Sequence, residues 1–248
     1  MTSTRLRIRS VAAVTLTVLA AGALGACGPL DDQTFKDDSS VKDTITAVRI
    51  DGKSDGFRVR GKQGLTKVSV HREVTYRGKT KPTGSTYRVE DGVLVLGGCE
   101  GRCSVDYTVD VPAGIPVTGS TKAGGLSLSS VGQVRVSTSD GAVKVRGATG
   151  PVDIRTSNGS IDANGLKGTG TTAMASNGSI SLTPDTAQDV TAQTSNGSIT
   201  VTAPPAPYRV TAQTGHGHKT LGIPDDPSAP HHLSLTSGNG GITLRSTK

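Results

Sequence analysis

The 248-residue sequence has no Trp, two Phe, four Tyr and three Cys. After Tyr107 the only aromatic residue is Tyr208, so most of the chain lacks platforms for stacking sugar rings or single-stranded bases. Glu is almost as scarce: Glu73, Glu90 and Glu100, and none later. With few strong helix formers and no helical periodicity, helices are not expected. No apolar run after the N-terminal segment approaches the ~18 residues that would cross a bilayer as a helix. A catalytic constellation is also missing. A hydrolase needs a nucleophile with a base and an orienting acid, but the abundant Ser and Thr sit at repeat positions. The scattered Asp form no distinguishable pair for glycoside chemistry. His71 and Glu73 read as a surface pair on one strand face. The sequence is therefore read as that of a non-enzyme without a cofactor.

What is present begins with a targeting segment. Arg5, Arg7 and Arg9 precede the short apolar stretch Val11–Ala23, the pattern of a cleaved signal rather than a permanent span. It ends in Leu24-Gly25-Ala26-Cys27, which resembles a bacterial lipobox. The expected organisation is a signal peptide over 1–26, then a lipid-bearing Cys27 and a polar tether to residue 40, then a folded region over 41–248. An ordinary secretory signal is the alternative, and it too exports the chain. The expected location is the outer face of the cytoplasmic membrane, held by lipid. Three of the 27 basic residues lie in the signal, which leaves 24 against 20 acidic ones, a net charge of +4. That is mild for more than 200 residues and, with export, argues against a nucleic-acid partner.

Cys99 and Cys103 remain as an isolated pair. A structural metal site of this kind wants four ligands, and no second pair exists. In an oxidising compartment a disulfide closing a tight turn is expected.

The rest of the chain alternates with the period of two that half-buried strands require, as in Val93-Leu-Val-Leu96 and Val105-Asp-Tyr-Thr-Val-Asp-Val111. Residues 41–112 are the less regular part. From about 113 a repeat appears: Thr156-Ser-Asn-Gly-Ser-Ile161, Ala175-Ser-Asn-Gly-Ser-Ile180 and Thr194-Ser-Asn-Gly-Ser-Ile199. Asn158, Asn177 and Asn196 are each 19 apart, and Asp140-Gly141 stands 18 before Asn158. Thr214-Gly-His-Gly217 and Ser237-Gly-Asn-Gly-Gly-Ile242 are degenerate copies. A fixed period near 20 marks a repeat array. The expected fold is all-β: a single-stranded β-solenoid with rungs of about 19 residues. Ile161, Ile180 and Ile199 would stack in one core column and the Asn side chains in a ladder. Gly159, Gly178 and Gly197 would supply positive φ at the corners. Because Asn-Gly between alternating strands is equally a hairpin signal, an antiparallel hairpin meander is the alternative. With an 18-residue offset, Arg135 falls over Asp153 and Lys144 over Asp162, a mild cross-strand stabilisation.

His216 and His218 share a strand face by spacing. If a neighbouring rung brought His231 or His232 alongside, imidazoles would converge as metal ligands; the simpler reading is a solvent-exposed loop. The Asn-Gly-Ser turns resemble half of a calcium-binding repeat, but only Asp140 among them is acidic.

In order, Tyr87-Arg-Val-Glu-Asp-Gly-Val-Leu-Val-Leu96, Cys99 with Cys103, Val105-Asp-Tyr-Thr-Val-Asp-Val-Pro-Ala-Gly114 and the Gly-centred repeats resemble the bacterial β-strand-repeat proteins grouped as "putative adhesins" of unknown function. The resemblance covers about 41–248. It implies a β-solenoid-like fold outside the cell and carries over no catalytic residues. The leading functional reading is a non-catalytic surface scaffold for adhesion or contact with an envelope polymer or surface protein. The second is a ligand- or metal-binding lipoprotein of envelope sensing.

Overall fold

Alternating burial builds most of the strands, and among the described residues there is no helix. A computed structural model describes residues 32–247; the signal segment and Cys27 lie outside them. In chain order the strands are β1 (Asp32–Val41), β2 (Ala47–Asp51), β3 (Gly56–Lys62), β4 (Val68–Arg77), β5 (Tyr87–Glu90), β6 (Val93–Gly97) and β7 (Cys103–Pro112). There follow β8 (Val117–Ala123), β9 (Leu126–Ser129), β10 (Val134–Asp140), β11 (Val143–Arg146), β12 (Val152–Asn158), β13 (Ile161–Leu166) and β14 (Gly170–Asn177). The last are β15 (Ile180–Pro184), β16 (Asp189–Asn196), β17 (Ile199–Ala203), β18 (Tyr208–His216), β19 (Lys219–Leu221), β20 (His231–Asn239) and β21 (Ile242–Ser246).

The strands form two sheets. Sheet A runs β1-β4-β7-β3-β9-β11-β13-β15-β17-β21-β19, and sheet B runs β18-β20-β16-β14-β12-β10-β8-β2-β6-β5. Each coil contributes one strand to B and the next to A, and the coils stack in parallel. Asn158 lies opposite Asn177, and Asn177 opposite Asn196. The strand before each Asn-Gly thus pairs with its counterpart one coil away. The solenoid is correct, and the hairpin meander is not formed. Antiparallel pairing is confined to one end, where β1 joins β4, β4 joins β7 and β5 joins β6.

The repeated hexapeptide can be read position by position. Ile161, Ile180 and Ile199 face each other in register and are at most 1% exposed. Val143 and Ile242 extend the column on either side. The Thr five residues before Ile161 and before Ile199 points inward, and its hydroxyl donates to a glycine carbonyl of the adjacent coil: Thr156 to Gly141 at 3.1 Å and Thr194 to Gly178 at 2.9 Å; before Ile180 the place is taken by Ala175. A buried hydroxyl is thereby satisfied. The Asn amides form a ladder along the outside. Asn239 donates to Asn196 at 2.8 Å, Asn196 to Asn177 at 2.9 Å, Asn177 to Asn158 at 3.0 Å and Asn158 to Asp140 at 2.8 Å. A carboxylate can only accept, so Asp140 fixes the direction of every bond above it.

The glycine has a second role beside the expected one. φ is positive at Gly178 (159°) and Gly197 (157°), at the border of extended backbone, but not at Gly159. What excludes a side chain is proximity. A Cβ on Gly178 would lie 1.9 Å from the Gly159 carbonyl oxygen, and one on Gly197 would lie 2.2 Å from that of Gly178. The coils touch backbone to backbone at this corner.

The spatial order of coils departs from chain order at both ends. The β20/β21 coil inserts between β16/β17 and β18/β19, and β2/β3 lies between β6/β7 and β8/β9. Asn196 therefore meets Asn239, and His216 lies one coil further out. Residue chemistry accounts for the exchange. β20 offers Leu233 and Leu235, fully buried, and Asn239 continues the ladder. The β18/β19 coil puts Lys219 into the isoleucine column opposite Ile242. The Lys219 ammonium donates to the Ala212 carbonyl at 3.3 Å, closing the end of the core with a charge. A polar terminal coil with an inward lysine also blunts edge-to-edge addition.

The segment expected as tether is strand from Asp32 onward. β1 lies on β4 with Asp32 opposite Arg77, Lys36 opposite Glu73, Asp37 opposite Arg72 and Asp38 opposite His71. The first three close as ion pairs, at 2.6, 3.1 and 2.7 Å, and Asp38 hydrogen-bonds His71 Nδ1 at 2.7 Å. The charge run that reads as a solvated linker is the complement of β4 in reverse order. A hydrogen bond from Arg72 holds the Asp37 carboxyl below its ordinary value, and Arg77 does the same for Asp32. A depressed folded value means that this contribution is complete above the unfolded aspartate value of about 3.8 and is lost as pH falls through the lower folded one. On acidification below 3.8, hydrogen-exchange protection corrected for intrinsic rates should fall in β1 before β13, β14, β15 and β17, which have no ion pair among the described residues. Uniform loss across the coils would show that β1 is held by other means.

The core column gives a second expectation. Ile180→Asp buries an unpaired charge and should cost several kcal/mol. Ser181→Asp, on the outward face one residue on, should cost within about 0.5 kcal/mol. Gly178→Ala forces the corner apart and should cost roughly 1–3 kcal/mol. Denaturant midpoints of the three variants check the order.

Candidate functional site

The core leaves little polar chemistry inside, so the outer faces of the two sheets carry what the molecule can offer a partner. Along each strand, residues facing out recur about every 7 Å, and neighbouring coils are about 4.8 Å apart. On sheet A the coils β15 and β17 present Ser181 and Thr183, then Thr200 and Thr202, in register. This makes a neutral hydroxyl grid. Toward the N-terminal end the same face becomes charged and hollow: a depression of about 780 Å³ bounded by residues including Arg58, Ser127, Lys144, Arg146 and Asp106. On sheet B a shallower groove of about 720 Å³ crosses the serine column Ser139, Ser157, Ser176 and Ser195, with Arg155 and Lys53 among its walls.

The expected charge pairs have the expected register, with Arg135 opposite Asp153 and Lys144 opposite Asp162. The ion pair itself differs. Asp153 lies 3.2 Å from Arg155, two residues along its own strand, and Lys144 has no ion pair among the described residues.

The histidines do not assemble. His216 stands at the Asn corner opposite Asn239, with His218 just beyond it. His231 and His232 open β20 at the other end of the same strand pair, opposite Tyr208 and Arg209. Eight strand positions, about 25 Å, separate the two sets. His232 Nε2 lies 3.0 Å from Thr211 Oγ1, and His231 Nδ1 lies 3.9 Å from Asp189. Among the described residues no three His, Cys, Asp or Glu are grouped as a metal site would need. The Asn158, Asn177 and Asn196 side-chain oxygens each accept from the next amide in the ladder.

Cys99 and Cys103 are joined, with S–S 2.04 Å and Cα–Cα 6.0 Å. The bridge spans the corner between β6 and β7, where the regular coils carry their glycine. Beside it is a buried group that the sequence does not flag. Asp55 is 2% exposed and accepts from the backbone N–H of Lys53 and of Val105, each at 2.8 Å. It ties the start of β3 to β7. Nearby, the buried Tyr107 ring stacks on Phe57 with centroids 5.4 Å apart. Its hydroxyl reaches the Thr86 carbonyl at 2.7 Å, and burial pushes the phenol's pKa well up. Both are structural fastenings of the first coils, shut away from solvent. Only a long-range contact identifies them, since Asp55 and Val105 are 50 positions apart.

No curated protein sequence matches the chain. Among solved structures, a "putative adhesin" from Parabacteroides distasonis is 18% identical, covering 86% of this chain and 98% of its own with a TM-score of 0.47. A "putative adhesin" from Parabacteroides merdae is 15% identical over 87% and 97%, TM-score 0.46. A "putative cell adhesion protein" from Clostridium sporogenes is 12% identical over 87% and 100%, TM-score 0.35. The sequence of residues 115–245 matches the family Toastrack DUF4097. That match runs from just before β8 to the last strand, over half the chain and all of its regular coils. This protein is a member of the Toastrack DUF4097 family.

Proposed function

We propose that this protein is a non-catalytic surface scaffold, exported and held at the outer face of the membrane by lipid on Cys27, whose outer sheet faces contact an envelope polymer or a surface protein. The observation that carries the reading is the division of labour within the coils. Inward positions are consumed by packing and by hydroxyl–carbonyl bonds, whereas outward positions form two long polar faces in fixed register. Such a body holds many weak contacts at set spacing without moving, which suits adhesion better than turnover. The Cys99–Cys103 bridge suits an oxidising compartment.

Strand β1 adds a geometric element. It begins five residues after Cys27, so the connection reaches at most about 17 Å. A lipid there would keep the β1 end of sheet A close to the bilayer, and the solenoid axis would carry the later coils away from it.

Cys27→Ser should release the protein from the membrane fraction or leave it as uncleaved precursor. Wild-type N-terminal peptide should carry a lipid mass. Unchanged fractionation of the variant, with no lipid on the wild-type peptide, would overturn the anchoring.

A further inference from the structure

The charged hollow on sheet A is built in a way that packing does not require. β9 lies between β3 and β11, with Arg58 opposite Ser127 and Ser127 opposite Lys144; Arg60, Ser129 and Arg146 form the next row. All six are outward positions. Two rows of long cationic side chains therefore stand about 10 Å apart across a floor of short hydroxyls, with the cations of each row about 7 Å apart along the strand. Gly125 and Ala142 keep the trough open toward the corner.

The charges are not balanced within the fold. Arg60 is held by a two-pronged bond to Asp110, at 2.6 and 2.9 Å. Arg58, Lys144 and Arg146 have no ion pair among the described residues. The acidic groups around them are otherwise placed: Glu73 is paired with Lys36, Asp106 lies over Gly56 at the rim, and Asp162 stands opposite Lys144 on the far side. Elsewhere on the coil a cation faces a carboxylate on the next strand, as Arg135 faces Asp153. Across β9 the cations face serines instead, Arg58 and Lys144 on either side of Ser127, although Lys144 also has Asp162 in register on its other flank. An anion lying over β9 would meet cations from both walls.

We propose that this trough binds a linear phosphodiester polymer laid along β9, with a phosphate near each row. The proposal rests on the scaffold reading and gives it a site and a partner chemistry. Cations on both walls suit a phosphodiester, whose two non-bridging oxygens can turn one toward Arg58 and one toward the Lys144–Arg146 wall. Guanidinium groups bind phosphate in a two-pronged manner, and the Ser127 and Ser129 hydroxyls donate from below. No exposed aromatic ring lines the trough, so it offers nothing for bases to stack on.

The test is binding of fluorescent poly(glycerol phosphate) to the purified full-length protein over a salt series. The triple variant Arg58→Gln, Lys144→Gln, Arg146→Gln should weaken binding by about tenfold or more and flatten the salt dependence. Removing three exposed charges elsewhere, by Lys67→Gln, Lys167→Gln and Arg209→Gln, should leave binding within about twofold. Equal loss in both variants would overturn the site in favour of general charge attraction. A second arm uses vesicles containing phosphatidylglycerol, whose headgroup has the same chemistry, and reads only the difference between wild type and the first triple variant. A difference on vesicles without one on the free polymer would overturn the proposal and make the face a membrane contact. Absence of wild-type binding to the polymer would overturn it as well and leave the scaffold reading untouched, since fractionation of the Cys27 variant tests that separately.

Discussion

The backbone-to-backbone contact at the corner is the constraint on which the molecule depends. A parallel coil can stack at strand spacing only if nothing projects into the gap where one coil turns above the next. Gly141, Gly159, Gly178, Gly197 and Gly240 each lie within 2.2 Å, measured from a would-be Cβ, of the carbonyl oxygen below. Once those corners are in contact, the register of both sheets follows. The isoleucine column, the threonine hydroxyls that close the corner carbonyls and the asparagine ladder are then placed without further choice. Each part is modest alone. Their value lies in being repeated at one spacing, so that a slip in any coil would break all of them together.

The period could be read from the sequence because three nearly identical hexapeptides recur at one interval. The order of the coils could not. Chain order places the His216 copy next to Asn196, but space gives that place to Asn239. Nothing local announces the exchange. It follows from a comparison between coils: the one with Leu233 and Leu235 gains more from having two neighbours than the one with Lys219 in its apolar column. The glycine was legible as a requirement but only in part in its cause, since a corner that needs positive φ and one that needs an empty Cβ position have the same residue.

The first strand shows a different kind of blind spot. Asp32, Asp37 and Asp38 with one lysine read as a solvated spacer, and by composition alone that is sound. The information lay forty residues away, in His71-Arg72-Glu73 and Arg77, which reverse the signs in antiparallel order. The candidate site shared this limit. Arg58 and Lys144 are unremarkable surface charges in the linear sequence. They become one trough only because β9, from a coil between them, brings serines rather than carboxylates to the floor. The four histidines fell the other way: proximity in sequence pointed to a cluster, and parallel pairing of β18 with β20 set them at opposite ends.

The interleaved end has a mechanical consequence. In a simple coil the C-terminal strand is outermost and peels away one ladder bond at a time. Here β21 lies between β17 and β19, and β20 between β16 and β18. A tug on the C-terminus must shear two ladders at once in each sheet, and the outermost coil cannot detach by itself because the chain that follows it is trapped beneath. The load spreads into the body of the stack instead of unzipping its tip.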